Sequence, residues 1–284
     1  MTDILKRNNV RVIGEGEQVM MFAHGFGCDQ NVWRHLIKVY QYKYTLVVFD
    51  FVGSGKSDLA AYDIERYSSL EGYAADVLDI IDALQLREVI FIGHSVSCMS
   101  GLRAAILKPQ YFSKLVFVAP SPCYLNDGDY VGGLNREDLD SLFEMMDANY
   151  LGWSSSMAPL IMGNAHMPEL GEELTANFCA TDPDIARKFA RVTFFSDNRA
   201  DLAKLSVPSL TLQCLDDILA PVEVGYYLNK HTPNNTLVIL EATGHCPHLS
   251  AHVQTIEAIN GYLSNYSKSD ARLLSNDIVA EDGL

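Results

Sequence analysis

The chain has no apolar run long enough to cross a membrane, no CxxC pair, no tract of Lys and Arg, and no repeat or low-complexity segment. Each absence removes a class. A membrane-spanning helix needs about 20 consecutive apolar residues, and the opening MTDILKRNNV lacks the apolar centre of a signal peptide. The six cysteines, Cys28, Cys98, Cys123, Cys179, Cys214 and Cys246, are widely spaced and mostly set among apolar residues. Disulfide frameworks and zinc sites are patterned differently, so reduced thiols in a cytoplasmic protein are expected, with no metal and no cofactor. Positive charge is scarce: 21 Lys and Arg stand against 36 Asp and Glu, a net charge of -15. Phosphate backbones and anionic membranes are bound by concentrated Lys and Arg, so neither nucleic acid nor a membrane surface is an expected partner. The excess acid is read as solubility. The stretch from Asp127 to Asp147, with seven acids against one Arg, is read as a solvated helix face.

Short apolar runs recur along the 284 residues: QVMMFAHG, YTLVVFD, EVIFIGH, KLVFVAP, PSLTLQC and NTLVILE. They are strand-length and carry no strict polar alternation, as strands buried on both faces of a parallel sheet do. Helical patterns lie between them. In GYAADVLDIIDALQL, Tyr73, Val77, Ile80, Ile81 and Leu84 share one face, and Asp76, Asp79 and Asp82 are expected to point away from it. Alternating strands and helices predict an α/β sheet. From about Asn135 to Arg199 the strands stop, and four helical segments follow one another: NREDLDSLFEMMDANY, WSSSMAPLIM, ELGEELTANF and PDIARKFARVTFF. Such an insertion predicts a helical lid over the carboxyl edge of the sheet, where open α/β folds bind ligands. The expected organisation is a core of residues 1–121 and 200–266, a lid of 122–199 and a weakly ordered tail of 267–284.

DFVGSGKSD contains GKS, but a phosphate-binding loop needs a glycine five residues before the glycine of GKS, and Asp50 stands there. A glycine-rich turn leaving the strand explains the segment.

The chemistry gathers at strand ends. FIGHSVSCMSG reads as strand, sharp turn and helix, with Ser95 at the turn. The nucleophile-elbow pattern G-x-S-x-G places small residues on both sides of the serine, because the tight turn brings them against neighbouring backbone. Here Gly93 is present, and Ser97 replaces the second glycine. A serine hydroxyl becomes a nucleophile when a base takes its proton. Among eight histidines, His24 and His94 lie in turns that they are expected to support, and His35, His166 and His231 lack a suggested partner. His245, in GHCPH after strand NTLVILE, falls at the same sheet edge as Ser95, whereas His248 suits capping or packing. The orienting acid comes from QCLDDILAP. Asp217 stands four residues before Pro221, the spacing common in hydrolases of this shape, and Asp216 remains open as a turn residue or as the acid. The order Ser95, Asp217, His245 is the α/β-hydrolase order. AHGFG supplies an oxyanion turn, with the N–H groups of Phe26 and Val96 as expected donors.

These residues, with HGFGCDQNVW, LEGYAADVLDIIDAL, SPCYLND, NYLGW, TDPDIARKFA and FFSDNR, resemble the RsbQ-type branch of the α/β hydrolases, to which the plant karrikin and strigolactone receptors are more distantly similar. The resemblance runs from Asn8 to about Leu263. It implies an α/β-hydrolase fold with a mostly parallel sheet and a four-helix lid, and a Ser95, Asp217 and His245 triad beneath a narrow apolar pocket. Phe26, Tyr124, Leu134, Leu142, Trp153, Met157, Phe194 and Leu219 would line that pocket. It further implies slow hydrolysis of a small hydrophobic ester, lactone or acyl compound in stress signalling, upstream of a PAS-domain phosphatase partner. A metabolic esterase without a partner, and a ligand-binding receptor with incidental hydrolysis, are the alternatives.

Overall fold

A computed structural model describes residues 3–264 of the protein. The expected weakly ordered tail of 267–284 lies outside the described residues.

All six apolar runs form strands: β2 (Val19–Ala23), β3 (Thr45–Val48), β4 (Val89–His94), β5 (Phe112–Val118), β6 (Ser209–Asp216) and β7 (Asn235–Thr243). A seventh, β1 (Arg11–Ile13), precedes them and pairs antiparallel with β3. Three residues at an edge are too few to carry a periodic signal, which is why the sequence pattern does not announce β1. The sheet order is β1-β3-β2-β4-β5-β6-β7, and every other pairing is parallel. Strand order reverses between β2 and β4. The crevice outside the carboxyl ends of two such strands is the usual ligand position in an open α/β sheet.

Burial on both faces explains the unbroken apolar runs of β2 to β6, whereas β7, at the sheet edge, is mostly half-buried, with Leu240 alone buried. Met20, Phe22, Ile90, Ile92, Val116, Val118, Leu210 and Leu212 face one core. Met21, Ala23, Phe91, Leu115 and Phe117 alternate with them into the other. The helices are α1 (Ile4–Arg7), α2 (Arg34–Tyr40), α3 (Leu70–Ala83), α4 (Val96–Leu107), α5 (Arg136–Ala148), α6 (Tyr150–Met162), α7 (Pro168–Ala180), α8 (Pro183–Phe195), α9 (Val222–His231) and α10 (Pro247–Ser250), and 252–264 is also helical. α3 and α4 pack on the second face. The first core continues from the sheet into α5–α8 through Leu139, Phe143, Tyr150, Trp153, Leu174, Phe178 and Phe194.

The four inserted helices begin where local chemistry starts them. Asn135 and Asp138 form a capping box at α5, and Asp182 caps α8 by accepting from the Asp184 and Ile185 N–H groups, with Pro183 in the first turn. In α3 the expected apolar face is buried, but Asp76 does not point away from the core. It is fully buried and accepts hydrogen bonds from Arg7, Arg66, Asn8 and the Tyr67 hydroxyl, between 2.8 and 3.1 Å. Helical periodicity could not show this, because the donors come from two other segments of the chain. A buried carboxylate is tolerated when it is paired in this way.

The GKS segment is a turn closed on a carboxylate. Asp50 accepts from the Gln30 and Lys56 N–H groups at 2.9 Å and from Asn9 at 2.7 Å.

Candidate active site

Ser95 sits between the end of β4 and the start of α4 with φ 57° and ψ -126°, a conformation that L-residues rarely adopt. Such strain costs roughly 1–3 kcal/mol and persists only where the surroundings over-determine it. Here they do. The Ser95 N–H is held by the Val118 carbonyl at 2.9 Å, across in β5. A Cβ at Gly93 would lie 2.9 Å from the Ser97 carbonyl carbon and 3.0 Å from the Cys98 nitrogen, so only glycine lets α4 leave the strand this closely. Ser97, the residue that departs from the usual elbow pattern, lies inside α4 with no exposed surface. Its hydroxyl donates to the His24 carbonyl. That bond ties the elbow to the turn carrying Phe26, which a glycine could not do. A Cβ at Gly25 in the same turn would fall 3.2 Å from the Ser95 Cβ, so the two turns are in direct apposition.

The other two expected residues meet Ser95 in space. His245 Nε2 lies 2.7 Å from Ser95 Oγ, and His245 Nδ1 lies 2.7 Å from Asp217 Oδ2. Asp217 is fixed by more than the histidine: its Oδ1 accepts from the Leu219 and Ala220 N–H groups at 2.9 and 3.2 Å. All three are buried, at 5% exposure for Ser95, 6% for Asp217 and 3% for His245. Asp216 is exposed, and its carbonyl accepts from the Gly244 N–H at 2.7 Å. It serves the turn rather than the base. The Asp217 carboxylate accepts, so Nδ1 carries the proton and Nε2 is free to accept from the serine hydroxyl, the tautomer a general base requires.

Among the remaining histidines His166 is exposed, and the others are held elsewhere. His24 Nδ1 donates to the Gly25 carbonyl at 2.8 Å, and its Nε2 accepts from the Phe51 N–H at 3.1 Å. His94 Nε2 donates to the His245 carbonyl at 2.8 Å, which fixes the backbone of the base. Burial and the neighbouring His248 and His245 hold the His94 pKa well below 6.5. His248 packs between Trp33 and His94, ring centres 4.6 and 4.3 Å away, and burial lowers its pKa to about 3. His35 and His252 stack at 4.0 Å, and His231 stacks on Tyr227 at 3.9 Å.

The two residues expected to supply oxyanion donors flank Ser95. Val96 opens α4, so its N–H is among those without an intrahelical acceptor. Phe26 stands in the apposed turn between Gly25 and Gly27. Above them is a small cavity of about 30 Å³, room for about two water-sized spheres. Of the expected lining residues, Phe26, Tyr124, Trp153, Phe194 and Leu219 reach its wall with Ser95 and His245. Leu134, Leu142 and Met157 do not line it: they are half-buried and pack against the core of the inserted helices. Position along the helices could not separate the two roles, because every helix of the insertion has an apolar face. For the same reason Ile161, Leu174, Phe178 and Thr193 of the inserted helices line the wall without a sequence signal of their own, and Cys28 and Cys246 join them from the turns that carry Phe26 and His245. Aromatic rings close the top: Phe178 stacks on Trp153 at 5.6 Å, and Phe26 meets both edge-on at 5.5 and 6.4 Å.

The model of the alpha/beta hydrolase family matches residues 20–258, most of the chain. The chain belongs to the α/β hydrolase family. It is 42% identical over 245 residues to the karrikin insensitive 2 receptor CA of Petunia hybrida, covering 86% of this chain and 91% of that protein. It is 43% identical over 246 residues to a probable esterase of Oryza sativa subsp. japonica, with the same 86% and 91% coverage. A solved hydrolase from Oleispira antarctica superposes with a TM-score of 0.90 at 45% identity, covering 93% of this chain and 97% of that one. No helix among the described residues is long and apolar enough to cross a membrane.

Proposed function

We propose that this α/β hydrolase is a serine hydrolase of a small hydrophobic ester, lactone or related acyl compound. Ser95 is the nucleophile, His245 the general base, Asp217 the group that orients it, and the Phe26 and Val96 N–H groups the oxyanion donors. One observation carries the reading: an unbroken file of hydrogen bonds, carboxylate to imidazole to hydroxyl at 2.7 Å each, opens directly into an apolar cavity.

The chemistry follows from the file. Ser95 Oγ attacks the acyl carbon as its proton passes to His245 Nε2, and the leaving oxygen takes that proton. Charge collects on the former carbonyl oxygen, where two preorganised N–H donors stabilise it more than they stabilise the neutral substrate. Water then attacks the acyl-serine with His245 as base. Ligand sites commonly enclose about 300–1,000 Å³, so the present cavity accepts a short acyl group, and a longer one requires the aromatic rings above it to move. Helices α5–α8, with residues 122–199, act as the lid on a core of residues 1–121 and 200–266.

The finer role we assign is signalling in the cytoplasm, RsbQ-like, with the hydrolase acting on a stress pathway through a PAS-domain phosphatase. The motif resemblance and the receptor name of a 42% identical relative support it. The same relative favours a second reading, in which a bound ligand carries the signal and hydrolysis is incidental.

The test is mass spectrometry after a fluorophosphonate, with hydrolysis of p-nitrophenyl acetate, on wild type, Ser95→Ala and His245→Ala. One adduct on Ser95 that depends on His245, with turnover lost in both variants, is expected. A folded wild type that takes no adduct would falsify the hydrolase reading. A ligand that shifts the melting temperature of Ser95→Ala and recruits the partner equally well would favour the receptor.

A further inference from the structure

The nucleophile has a second polar neighbour, and it is not part of the triad. The Tyr124 hydroxyl lies 3.2 Å from Ser95 Oγ. Which atom donates is decided by the rest of the file. Asp217 can only accept, so His245 Nδ1 donates to it and Nε2 accepts. Ser95 has one proton and gives it to Nε2 at 2.7 Å. Oγ therefore meets Tyr124 with a lone pair, and the Tyr124 hydroxyl is the donor.

This contact is held in place. Tyr124 is 2% exposed, its carbonyl accepts from the Leu134 N–H at 3.0 Å, and its ring meets Phe194 edge-on at 5.0 Å. The preceding residues are pinned as well: the Pro122 carbonyl accepts from the Asn198 N–H at 2.7 Å, and Ser121 donates to the Cys123 carbonyl at 2.9 Å. Burial raises the Tyr124 pKa, so the phenol keeps its proton and acts as a donor.

Resting on the serine-hydrolase reading above, we infer that Tyr124 is a catalytic residue whose hydroxyl assists the breaking of the acyl–Oγ bond during deacylation. The reason is differential binding. In the free enzyme Oγ is a good acceptor, and its bond from Tyr124 is already made. Attack on the substrate uses Oγ electron density, so this bond gains nothing on the way to the acyl-enzyme. An ester oxygen is a poor acceptor, and in the acyl-enzyme the bond is weak. As water adds and the tetrahedral intermediate collapses, the acyl carbon–Oγ bond breaks and its electron pair returns to Oγ. His245 Nε2, protonated by the attacking water, returns a proton to Oγ, and the product is a carboxylic acid and the serine hydroxyl. The Tyr124 bond strengthens along that step, while Tyr124 itself loses and gains no proton. Donation to Oγ thus speeds release of the acyl group and leaves its capture almost untouched.

The experiment separates the two steps. Stopped-flow hydrolysis of p-nitrophenyl acetate, with intact-protein mass spectrometry, is run on wild type, Ser95→Ala and Tyr124→Phe. In Tyr124→Phe the burst rate stays within about three-fold of wild type and deacylation falls on the order of ten-fold, the scale of one hydrogen bond. Acetylated Ser95 accumulates. A purely structural loss would lower both steps together, and that result overturns the inference, as does unchanged deacylation. Either leaves the triad standing, provided wild type acetylates on Ser95. Turnover by Ser95→Ala would overturn the hydrolase reading and this one with it. Should Tyr124→Phe fail to fold, 3-fluorotyrosine at position 124 keeps the shape and donates more strongly. Faster deacylation supports the role, and an equal or slower rate overturns it.

Discussion

The sheet edge and the inserted helices build the same site in opposite ways. At the edge, backbone does the positioning: a strained Ser95 and two glycines without room for a Cβ. In the insertion, side chains do it: Trp153 and Phe178 stack on each other and meet Phe26 of the core edge-on, and Phe194 meets Tyr124 edge-on. The edge therefore tolerates few substitutions and fixes the reaction, whereas the insertion can be repacked and fixes what fits. Changes at the edge should alter rate for every substrate, and changes in the insertion should alter preference among substrates.

The largest effect tests the first half. On the proposed mechanism Ser95→Ala removes the attacking atom and should lower kcat for p-nitrophenyl acetate by on the order of 10⁴-fold or more. The melting temperature should stay within a few degrees, since Ala must occupy the same positive φ. A large loss of stability in this variant would mean that the hydroxyl holds the elbow together. The second half is tested at Phe178, which stacks on Trp153 at 5.6 Å. Phe178→Leu opens the wall while keeping it apolar, and kcat/KM for butyrate over acetate esters should rise about ten-fold. The variant should lose roughly 1–3 kcal/mol of stability by urea unfolding. An equal fall for both esters would show that the insertion also sets the reaction geometry.

The same division explains what can be read from the sequence. Backbone devices need particular residues at fixed spacing, so GHS, HGFG, LDDILAP and GHCPH are visible as strings, and the four strands that carry them, with β3 and β5, as apolar runs. The distance to Pro221 favours Asp217 over Asp216, and the structure shows the reason: the Asp217 carboxylate accepts from the Leu219 and Ala220 N–H groups that precede this proline. The pocket wall has no such signature. Phe178 and Leu134 are both apolar, and only the packing of one segment on another brings the first to the cavity wall and leaves the second half-buried against the core. Periodicity misplaces Asp76 for a related reason, since its hydrogen-bond donors, Arg7, Asn8, Arg66 and Tyr67, all lie outside its own helix. β1 is too short to be read.

A smaller effect concerns the histidines behind the edge. His94 and His248 are buried and neutral, with pKa values lowered well below 6.5 and to about 3. In the unfolded chain both titrate near 6.5, so below that pH the unfolded state binds more protons than the native one. Stability is then complete above about pH 6.5 and falls as pH drops toward 3. His248→Phe retains the ring against Trp33, removes one of the two titrations and should shallow the fall. Thermal melts of both proteins from pH 7 to pH 4 measure it. Parallel curves would assign the acid sensitivity to carboxylates elsewhere.

The smallest effect is at the residue that sets this elbow apart. Ser97→Gly restores the G-x-S-x-G pattern, and a pattern-based view expects a better enzyme. Packing predicts otherwise. The Ser97 hydroxyl donates to the His24 carbonyl in the turn that carries Phe26, the proposed oxyanion donor. Glycine leaves that buried carbonyl without its donor and loosens the first turn of α4, for a combined loss of about 1–3 kcal/mol. The triad itself, held by Asp217, His245 and the backbone of β4 and β5, does not depend on this bond, so kcat should fall by no more than about five-fold while the melting temperature drops several degrees. Higher turnover together with unchanged stability would mean that Ser97 restrains the nucleophile. The bond from Ser97 to His24 would then set the rate of the reaction rather than the stability of the elbow.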